Sequence, residues 1–387
     1  MLVGLQSKSA PPLEFEEKWI KAKVIKVRFL NVYRCCVDKS EIKTTQPDSH
    51  WPAKKSGDYF SSKPAVYAIN KDGIYEAEII VDMECKNISG KGTLVGRVGP
   101  HIFSGPISLS TNKEQKATVK LKTTPDKLQW IHRYISWSVI TQDNKTFRAK
   151  KSLTELLFVL DDPAKRNFFK PTGIWAEALR FLYQNTRIKR KNKPDLAVKN
   201  VTKGCFELDS RKYDRKDGAA SFGGAQGVFR LEKYIDPTEN FVNCYDQADA
   251  VVVFSGALGV PVNGLFMKPF GFLKKTNLIG VAGLCNNPFD AYSLEAELDV
   301  NDPDRTDFGN HMFCEFKKKI YDACAGPALG STDRAGYVTR SIDDEKATTL
   351  YSQFNFKPGT VKDIYDVPYT FLTKRGSATI KKVMKVK

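Results

Sequence analysis

The sequence predicts two folded parts: an N-terminal all-β sandwich over residues 14–161, and a second part over residues 162–387 that mixes helices with strands. Up to about residue 161, short runs that alternate apolar and polar residues recur between turn residues, as they do in sandwiches. Beyond that point, residues 173–184 place apolar side chains at helical spacing. A chain of 387 residues is also too long for one ordinary hydrophobic core.

Residues 1–13 are interpreted as a lead-in to the sandwich. Strands are predicted at residues 19–32, 65–69, 74–81, 92–98, 117–121 and 130–141. Asp72 and Gly73 separate the second run from the third and predict a hairpin turn. This part contains no constellation of catalytic residue types, and His132 is interpreted as a strand residue.

The second part is predicted to begin with the helix over residues 173–184, for which Thr172 is a candidate N-cap. The basic segment 187–193 that follows is interpreted as an exposed loop, and the glycine-rich segment 222–227 as a flexible loop. A further helix is predicted from Cys244. Strands are predicted at residues 277–284, 292–298, His311–Phe316, 319–323 and 370–386.

Cys244 occupies a distinctive local position. Asn243 is a good N-cap, apolar residues follow at helical spacing, and Gly259 and Pro261 end the pattern. The thiol is therefore expected in the first turn of a buried helix. There the helix dipole favours the thiolate, which is the form that acts as a nucleophile.

His311 and Asp322 follow Cys244 in two strand-like runs, 11 residues apart. His311 is the one histidine of four that lies downstream of Cys244. A thiol, an imidazole and a carboxylate in this order indicate a catalytic triad for nucleophilic catalysis. Taken singly, each residue also suits a structural role: a buried cysteine, a hydrogen-bonded histidine and a turn-capping aspartate.

Four segments (243–248, 259–262, 310–316 and 320–323) together resemble the transglutaminase-like branch of the papain-type cysteine enzyme superfamily. In that family the cysteine opens a helix that ends in Gly-Val/Ile-Pro, the histidine opens a strand, and the aspartate lies on the next strand. The resemblance implies an α+β papain/transglutaminase-like catalytic domain, with helices packed on an antiparallel sheet. Met312 stands where the family usually has tryptophan, and residues 286–307 resemble an insertion, so the reaction type stays open.

The expected activity is thiol-dependent acyl transfer on a protein or peptide, with no cofactor. Cys244 attacks an acyl carbon, His311 accepts the thiol proton, and Asp322 orients the imidazole. The backbone N–H of Cys244 is the expected first oxyanion donor, and Gln226 is a candidate for the second. Water as acceptor gives a peptidase or deamidase, whereas an amine gives a transglutaminase.

Two alternatives remain beside this activity: a non-catalytic protein-binding module on the same fold, and a delivered effector or toxin that uses the same chemistry. The formal net charge of +17 favours a solvated basic surface and allows an anionic partner. Nucleic acid is not expected as a partner, because no nucleic-acid-binding motif accompanies the basic runs.

The eight cysteines are interpreted as reduced thiols, because they are sparse for a disulfide scaffold, and no Cys-x-x-Cys spacing indicates zinc. No apolar run approaches the length of a membrane-spanning helix. Residues 1–12 lack the pattern of a signal peptide. The expected location is therefore cytoplasmic, or that of an effector delivered without a visible signal.

Overall fold

The computed structural model describes residues 18–36, 49–52, 64–110, 113–170, 173–223, 227–235, 240–268, 270–286, 308–343, 377–381 and 385–386. Its strands are β1 Trp19–Leu30, β2 Cys35–Cys36, β3 Ser49–Pro52, β4 Ala65–Ala68, β5 Glu76–Lys86, β6 Gly90–Val98, β7 His101–Leu109, β8 Lys113–Leu121, β9 Gln129–Thr141, β10 Thr146–Lys150, β11 Ser152–Val159, β12 Ile174–Trp175, β13 Lys212–Tyr213, β14 Val228–Phe229, β15 Phe241–Val242, β16 Asn263–Lys268, β17 His311–Phe316, β18 Lys319–Asp322, β19 Ala328–Leu329, β20 Ser377–Lys381 and β21 Lys385–Val386. Its helices are α1 Ala176–Asn185, α2 Pro194–Phe206, α3 Leu231–Ile235, α4 Cys244–Ala257 and α5 Arg334–Ser341, with one 3-10 turn at Pro163–Lys165.

The N-terminal part is a closed seven-stranded barrel. Its strands pair in the order β10-β1-β5-β8-β7-β6-β9, and β10 closes the ring because it pairs in parallel with β1 and antiparallel with β9. The predicted sandwich was therefore wrong. Barrels and sandwiches share the same alternation of inward and outward residues, so the strand patterns alone do not distinguish them. Closure depends on the pairings of one short strand, which leave no periodic signal.

The barrel interior follows the period of two along its strands. In β5, Ala77, Ile79, Val81 and Met83 are buried while their neighbours are more exposed. Gly96 on β6 lies directly against the indole of Trp137 on β9, and a Cβ there would come within 2.4 Å of the ring. The absence of a side chain at residue 96 therefore allows the largest aromatic side chain to fill the core.

The predicted hairpin about Asp72 and Gly73 was also wrong. The turn exists, and Gly73 has the positive φ that such a turn favours. Its flanking strands do not pair with each other, since β4 runs parallel to β11 whereas β5 pairs with β1 and β8. A local turn signal predicts the change in direction, but the partner of β4 comes from more than 80 residues downstream in the sequence, as the pairing Ala65–Leu156 shows.

The second part contains a five-stranded sheet in the order β19-β18-β17-β16-β20, with α4 packed against β17. The predicted α+β papain/transglutaminase-like architecture was wrong, because the described chain is mostly β with few helices. Three further parallel pairs, β2–β12, β13–β15 and β14–β21, join two-residue strands that are too short for a sequence pattern to reveal. None of the described helices has the length and apolarity that crossing a membrane requires.

Two helices differ from expectation near the start of this part. α1 begins at Ala176 rather than at residue 173, because Ile174 and Trp175 pair with β2 instead. Thr172, the candidate cap, lies outside the described residues. α2 was not predicted, although Pro194 is well suited to the first position of a helix.

A buried ion pair connects α1 to β11, the strand that pairs with β9 of the barrel. Arg180 donates to both carboxylate oxygens of Glu155 on β11, at 2.9 and 2.5 Å, and Trp130 donates to the same carboxylate at 2.9 Å. Tyr183 donates to the carbonyl of Phe158 at 2.6 Å. The boundary between residues 161 and 162 stays a prediction, and these buried contacts cross it.

Candidate active site

A complete capping box begins α4 at Cys244. The Asn243 side chain accepts the backbone N–H groups of Tyr245 at 2.9 Å and Asp246 at 3.1 Å, and Asp246 accepts the N–H of Asn243 at 3.1 Å. The thiol therefore lies in the first turn, as the sequence predicts. The Asn243 side chain accepts the N–H groups of the two residues that follow Cys244, so the backbone N–H of Cys244 is not bonded to this cap.

The C-terminal end of α4 is held against the residues that follow β11. Gly259 has φ of +82°, and a Cβ at this position would lie 2.2 Å from the carbonyl oxygen of Asp161. Leu160 and Asp161 both donate their N–H groups to the carbonyl of Leu258, at 3.0 and 3.2 Å. Between its two ends the helix is almost completely buried, so the position of Cys244 is set at both ends.

The carboxylate of Asp246 attaches a loop to the N-terminus of α4. One oxygen accepts the N–H groups of Phe222 at 2.7 Å and Gly223 at 2.5 Å, and the other accepts those of Ser221 at 2.9 Å and Asn243 at 3.1 Å. Burial raises the pKa of Asp246, and these backbone bonds oppose that rise. Residues 221–223, at the start of the glycine-rich segment, are thus fixed to α4, while Gln226 lies outside the described residues.

His311 opens β17, and its ring is fully buried between aromatic side chains. The ring centroid lies 4.7 Å from that of Phe270 and 5.0 Å from that of Phe308, which stacks nearly parallel at 16°. These rings restrict the plane of the imidazole. Sequence reasoning did not identify either phenylalanine, because both lie in irregular segments outside any periodic pattern.

Asp322 ends β18 and faces His311 across the sheet. Its Oδ2 lies 2.8 Å from Nε2 of His311, while its Oδ1 accepts the backbone N–H groups of Cys324 at 2.7 Å and Ala325 at 3.2 Å. The carboxylate is therefore fixed through both oxygens. This contact assigns the Nε2 proton to the Asp322 side and leaves Nδ1 as the ring nitrogen that can serve a nucleophile.

Nδ1 of His311 has no hydrogen-bond partner of ordinary geometry among the described residues. The Cys244 thiol nevertheless lies near enough to contribute to the pKa of the ring. A loose contact between nucleophile and base is common in resting enzymes. The structure thus brings the three predicted site residues into one cluster, in the order thiol, imidazole, carboxylate.

The electrostatics of this cluster favour a charged imidazole. Burial lowers the pKa of His311, but the charge of Asp322 and its hydrogen bond, with smaller contributions from Cys244, raise the pKa to about 10. With this pKa the imidazole carries its second proton at neutral pH.

Tyr337 is a fourth member of the cluster that sequence reasoning missed. Its hydroxyl donates a hydrogen bond to Oδ2 of Asp322 and lies 3.3 Å from Nε2 of His311. It is buried, and it belongs to α5, a helix that was not predicted. A single tyrosine 15 residues beyond the aspartate carries no signal that connects it to the site.

The resting site is closed. Cys244 is only 5% exposed, and the hydroxyl of the adjacent Tyr245 donates to Oδ1 of Asn310, the residue before His311, at 2.9 Å. A substrate as large as a peptide therefore needs a rearrangement to reach the sulfur. In the described part of the chain, no group of His, Cys, Asp and Glu side chains is arranged to hold a metal ion.

No protein-family model matches the sequence, and no curated protein matches it. Among solved structures, the chain is similar to that of red sea bream transglutaminase, with a TM-score of 0.37 and 10% sequence identity. The match covers 83% of this chain and 56% of that one, so the chain spans little more than half of the neighbour's length. A likeness of this size indicates nothing about the activity of this chain.

Proposed function

We propose that this chain is a thiol-dependent acyl-transfer enzyme in which Cys244 is the nucleophile, His311 the general base and acid, and Asp322 the group that orients His311. The substrate is a carboxamide of a protein or peptide. The observation that carries the proposal is the buried His311–Asp322 pair, joined at 2.8 Å, beside a cysteine in the first turn of a capped helix.

The first half of the reaction forms a thioester. The Cys244 thiolate attacks the carbonyl carbon, and the developing oxyanion is stabilised by the N–H of Cys244, which the Asn243 cap leaves outside its own hydrogen bonds. His311 then gives its Nδ1 proton to the leaving nitrogen as the carbon–nitrogen bond breaks. The products are the acyl-enzyme and ammonia or an amine.

The second half returns the free thiol. Water or a primary amine attacks the thioester carbon, His311 takes the proton of the attacking group, and the carbon–sulfur bond breaks to release the thiolate. Water makes the chain a peptidase or deamidase, and a lysine amine makes it a transglutaminase. The same triad serves all three outcomes, so they differ only in the leaving group and the acceptor.

One observation favours a second candidate, a non-catalytic protein-binding module. Cys244 is 5% exposed, and a site that never opens would retain the cluster for its packing alone. The complete set of thiol, imidazole and carboxylate supports the enzyme instead. Under either function, the net charge of +17 supports a partner or substrate with an acidic surface.

Trapping of the acyl-enzyme tests the proposal. The protein is mixed with a library of glutamine-containing and other peptides, quenched in acid, digested and analysed by mass spectrometry for an acyl group on the Cys244 peptide. Hydroxylamine should remove that group, as it does from thioesters, and Cys244→Ala should not acquire it. Parallel assays of ammonia release and of incorporation of a fluorescent primary amine separate deamidation from amine transfer.

The control variant is Cys205→Ala, which removes another buried thiol that lies on α2, outside the cluster. The enzyme assignment predicts acylation in this variant and none in Cys244→Ala. The enzyme assignment is replaced by the binding-module function if two results are obtained together. Wild-type protein forms no thioester with any peptide, and it binds a protein partner with an affinity that Cys244→Ala does not change.

A further inference from the structure

The hydroxyl of Tyr337 and the imidazole of His311 meet the same oxygen of Asp322. The α5 helix is capped by Asp333, which accepts the N–H of Gly336 at 2.9 Å, and its Tyr337 packs against Phe313 of β17 at a centroid distance of 4.9 Å. Tyr337 is 4% exposed. The phenol is therefore held by its own helix and by the His311 strand, and not by Asp322 alone.

We propose that Tyr337 is a positioning residue of the triad, whose hydroxyl shares Oδ2 of Asp322 with His311 and so limits how strongly the carboxylate holds the imidazolium proton. The catalytic meaning of this role rests on the proposed function. The geometric contact itself does not depend on it.

The direction of the tyrosine hydrogen bond follows from the other contacts of Asp322. An ionised carboxylate only accepts hydrogen bonds, and its Oδ1 already takes two backbone N–H groups. The phenol proton must therefore point at Oδ2. Burial, and then the charge of Asp322, raises the pKa of Tyr337, so the hydroxyl keeps this proton throughout the working pH range.

The hydrogen bond from Tyr337 to Oδ2 of Asp322 weakens the hydrogen bond from His311 to the same oxygen. The phenol stabilises negative charge on the oxygen that faces Nε2, so the carboxylate attracts the imidazolium proton less strongly. Without the phenol, His311 would hold its protons more firmly and give one to the leaving nitrogen less readily. The expected role of Tyr337 is thus to keep the general acid strong enough for proton transfer.

Besides Cys244, the titratable groups near the His311–Asp322 pair in the described chain are Tyr245, Asp246 and Asp249 around α4, Cys314 on β17 and Cys324 beyond β18. At the outer end of the sheet, Arg334 of α5 pairs with Glu315 of β17 at 3.0 Å. A variant at residue 337 leaves every one of these groups in place. A change in titration between variants therefore reports the phenol.

The test is the pH dependence of the alkylation of Cys244 by iodoacetamide, followed on its tryptic peptide between pH 4 and 11. In wild-type protein, the thiolate–imidazolium pair gives a profile with a lower and an upper apparent pKa. Tyr337→Phe should raise the upper value by about one unit, since it removes one hydrogen bond to a charged acceptor. Tyr321→Phe is the matched control, because Tyr321 directly precedes Asp322 in the sequence. The hydroxyl that this substitution removes lies against Gly330 and not against Asp322. This control should leave both values unchanged.

A second substitution protects the test against misfolding of the phenylalanine variant. Site-specific 3-fluorotyrosine at position 337 keeps the shape and strengthens the donor, so the upper value should move down instead of up. An upper value that stays within about 0.2 units in both variants overturns the role of Tyr337 but leaves the proposed function standing. A wild-type profile with a single step near the pKa of an ordinary thiol, about 8.5, overturns both the proposed function and this inference.

Discussion

The carboxylate of Asp246 holds the N-terminus of α4, where the candidate nucleophile lies, and Asp246→Asn tests this directly. Each carboxylate oxygen accepts two backbone N–H groups, four in all, from Asn243 and the 221–223 segment. An amide has one acceptor oxygen, so its NH₂ group must face one pair of donors. Two buried N–H groups then lose their acceptor whichever way the amide turns.

The magnitude follows from this count. A hydrogen bond to a charged group is worth about 1.5–3 kcal/mol, so two lost bonds cost roughly 3–6 kcal/mol. The neutral amide recovers part of the desolvation cost that raises the pKa of Asp246, because it places no charge in the core. We therefore expect the free energy of unfolding to fall by about 2–4 kcal/mol.

Urea unfolding, followed by tryptophan fluorescence, measures this change as a lower midpoint at constant slope. Asp195→Asn is the control: Asp195 also lies in the first turn of a helix, α2, but pairs with Lys317 on the surface at 2.9 Å. Loss of such an exposed pair costs less than about 1 kcal/mol. If Asp246→Asn costs no more than Asp195→Asn, the four hydrogen bonds do not hold the nucleophile helix and the reasoning is refuted.

Four further outcomes are expected. Cys244→Ala should abolish acylation in the trapping assay while leaving the urea midpoint nearly unchanged, since the side chain is small and near a helix end; a residual thioester on another cysteine would contradict the assignment. Asp322→Asn should leave an enzyme slower by roughly 10⁴-fold in a full pH–rate profile, because the imidazole tautomer is no longer fixed; wild-type rates would make Asp322 structural. Glu155→Gln should lower the unfolding free energy by about 3 kcal/mol in urea, because the buried guanidinium of Arg180 loses one carboxylate and keeps only that of Glu177; a loss below about 1 kcal/mol would show that the buried pair contributes little to stability. The pKa of His311 is raised from 6.5 to about 10, so its contribution to stability is complete below pH 6.5 and is lost as the pH rises through about 10. Wild-type protein should therefore lose more stability over this range than His311→Gln, and equal losses would refute the pairing.

The position of Cys244 at the start of a helix could be predicted because its signals are local. Asn243 and Gly259 mark the two ends of one helix, and an N-cap and a glycine terminus act within a few residues of sequence. His311 was correctly expected to open a strand, and Asp322 to lie on the next. Their proposed roles rest on the contact between them, which joins residues 11 apart across two strands and which neither strand pattern specifies.

The remaining features depend on contacts between distant residues. Barrel closure requires Ala22 of β1 to meet Ala149 of β10, and no pattern in either strand specifies that pairing. Tyr337 contacts Asp322 because of the position of α5. That helix comes directly after a turn at residues 330–333, and no periodic apolar pattern in the sequence predicts where it packs. The architecture and the contact of Tyr337 were therefore beyond sequence reasoning, whereas the start of α4 at Cys244 and the strands that carry His311 and Asp322 were not.

The central claim, that Cys244 is an activated nucleophile, is tested most directly by competitive labelling of the eight free cysteines. Iodoacetamide is added at a limiting amount near pH 6, and the label on each cysteine peptide is quantified by mass spectrometry. At this pH an ordinary thiol is almost entirely protonated, whereas a thiolate paired with an imidazolium reacts. Cys35 is the most accessible of the eight cysteines and the other seven are buried. Solvent exposure and thiol activation therefore predict different orders of labelling. The account predicts that Cys244 is labelled first despite its burial; labelling of Cys35 first, with Cys244 among the slow thiols, would contradict it.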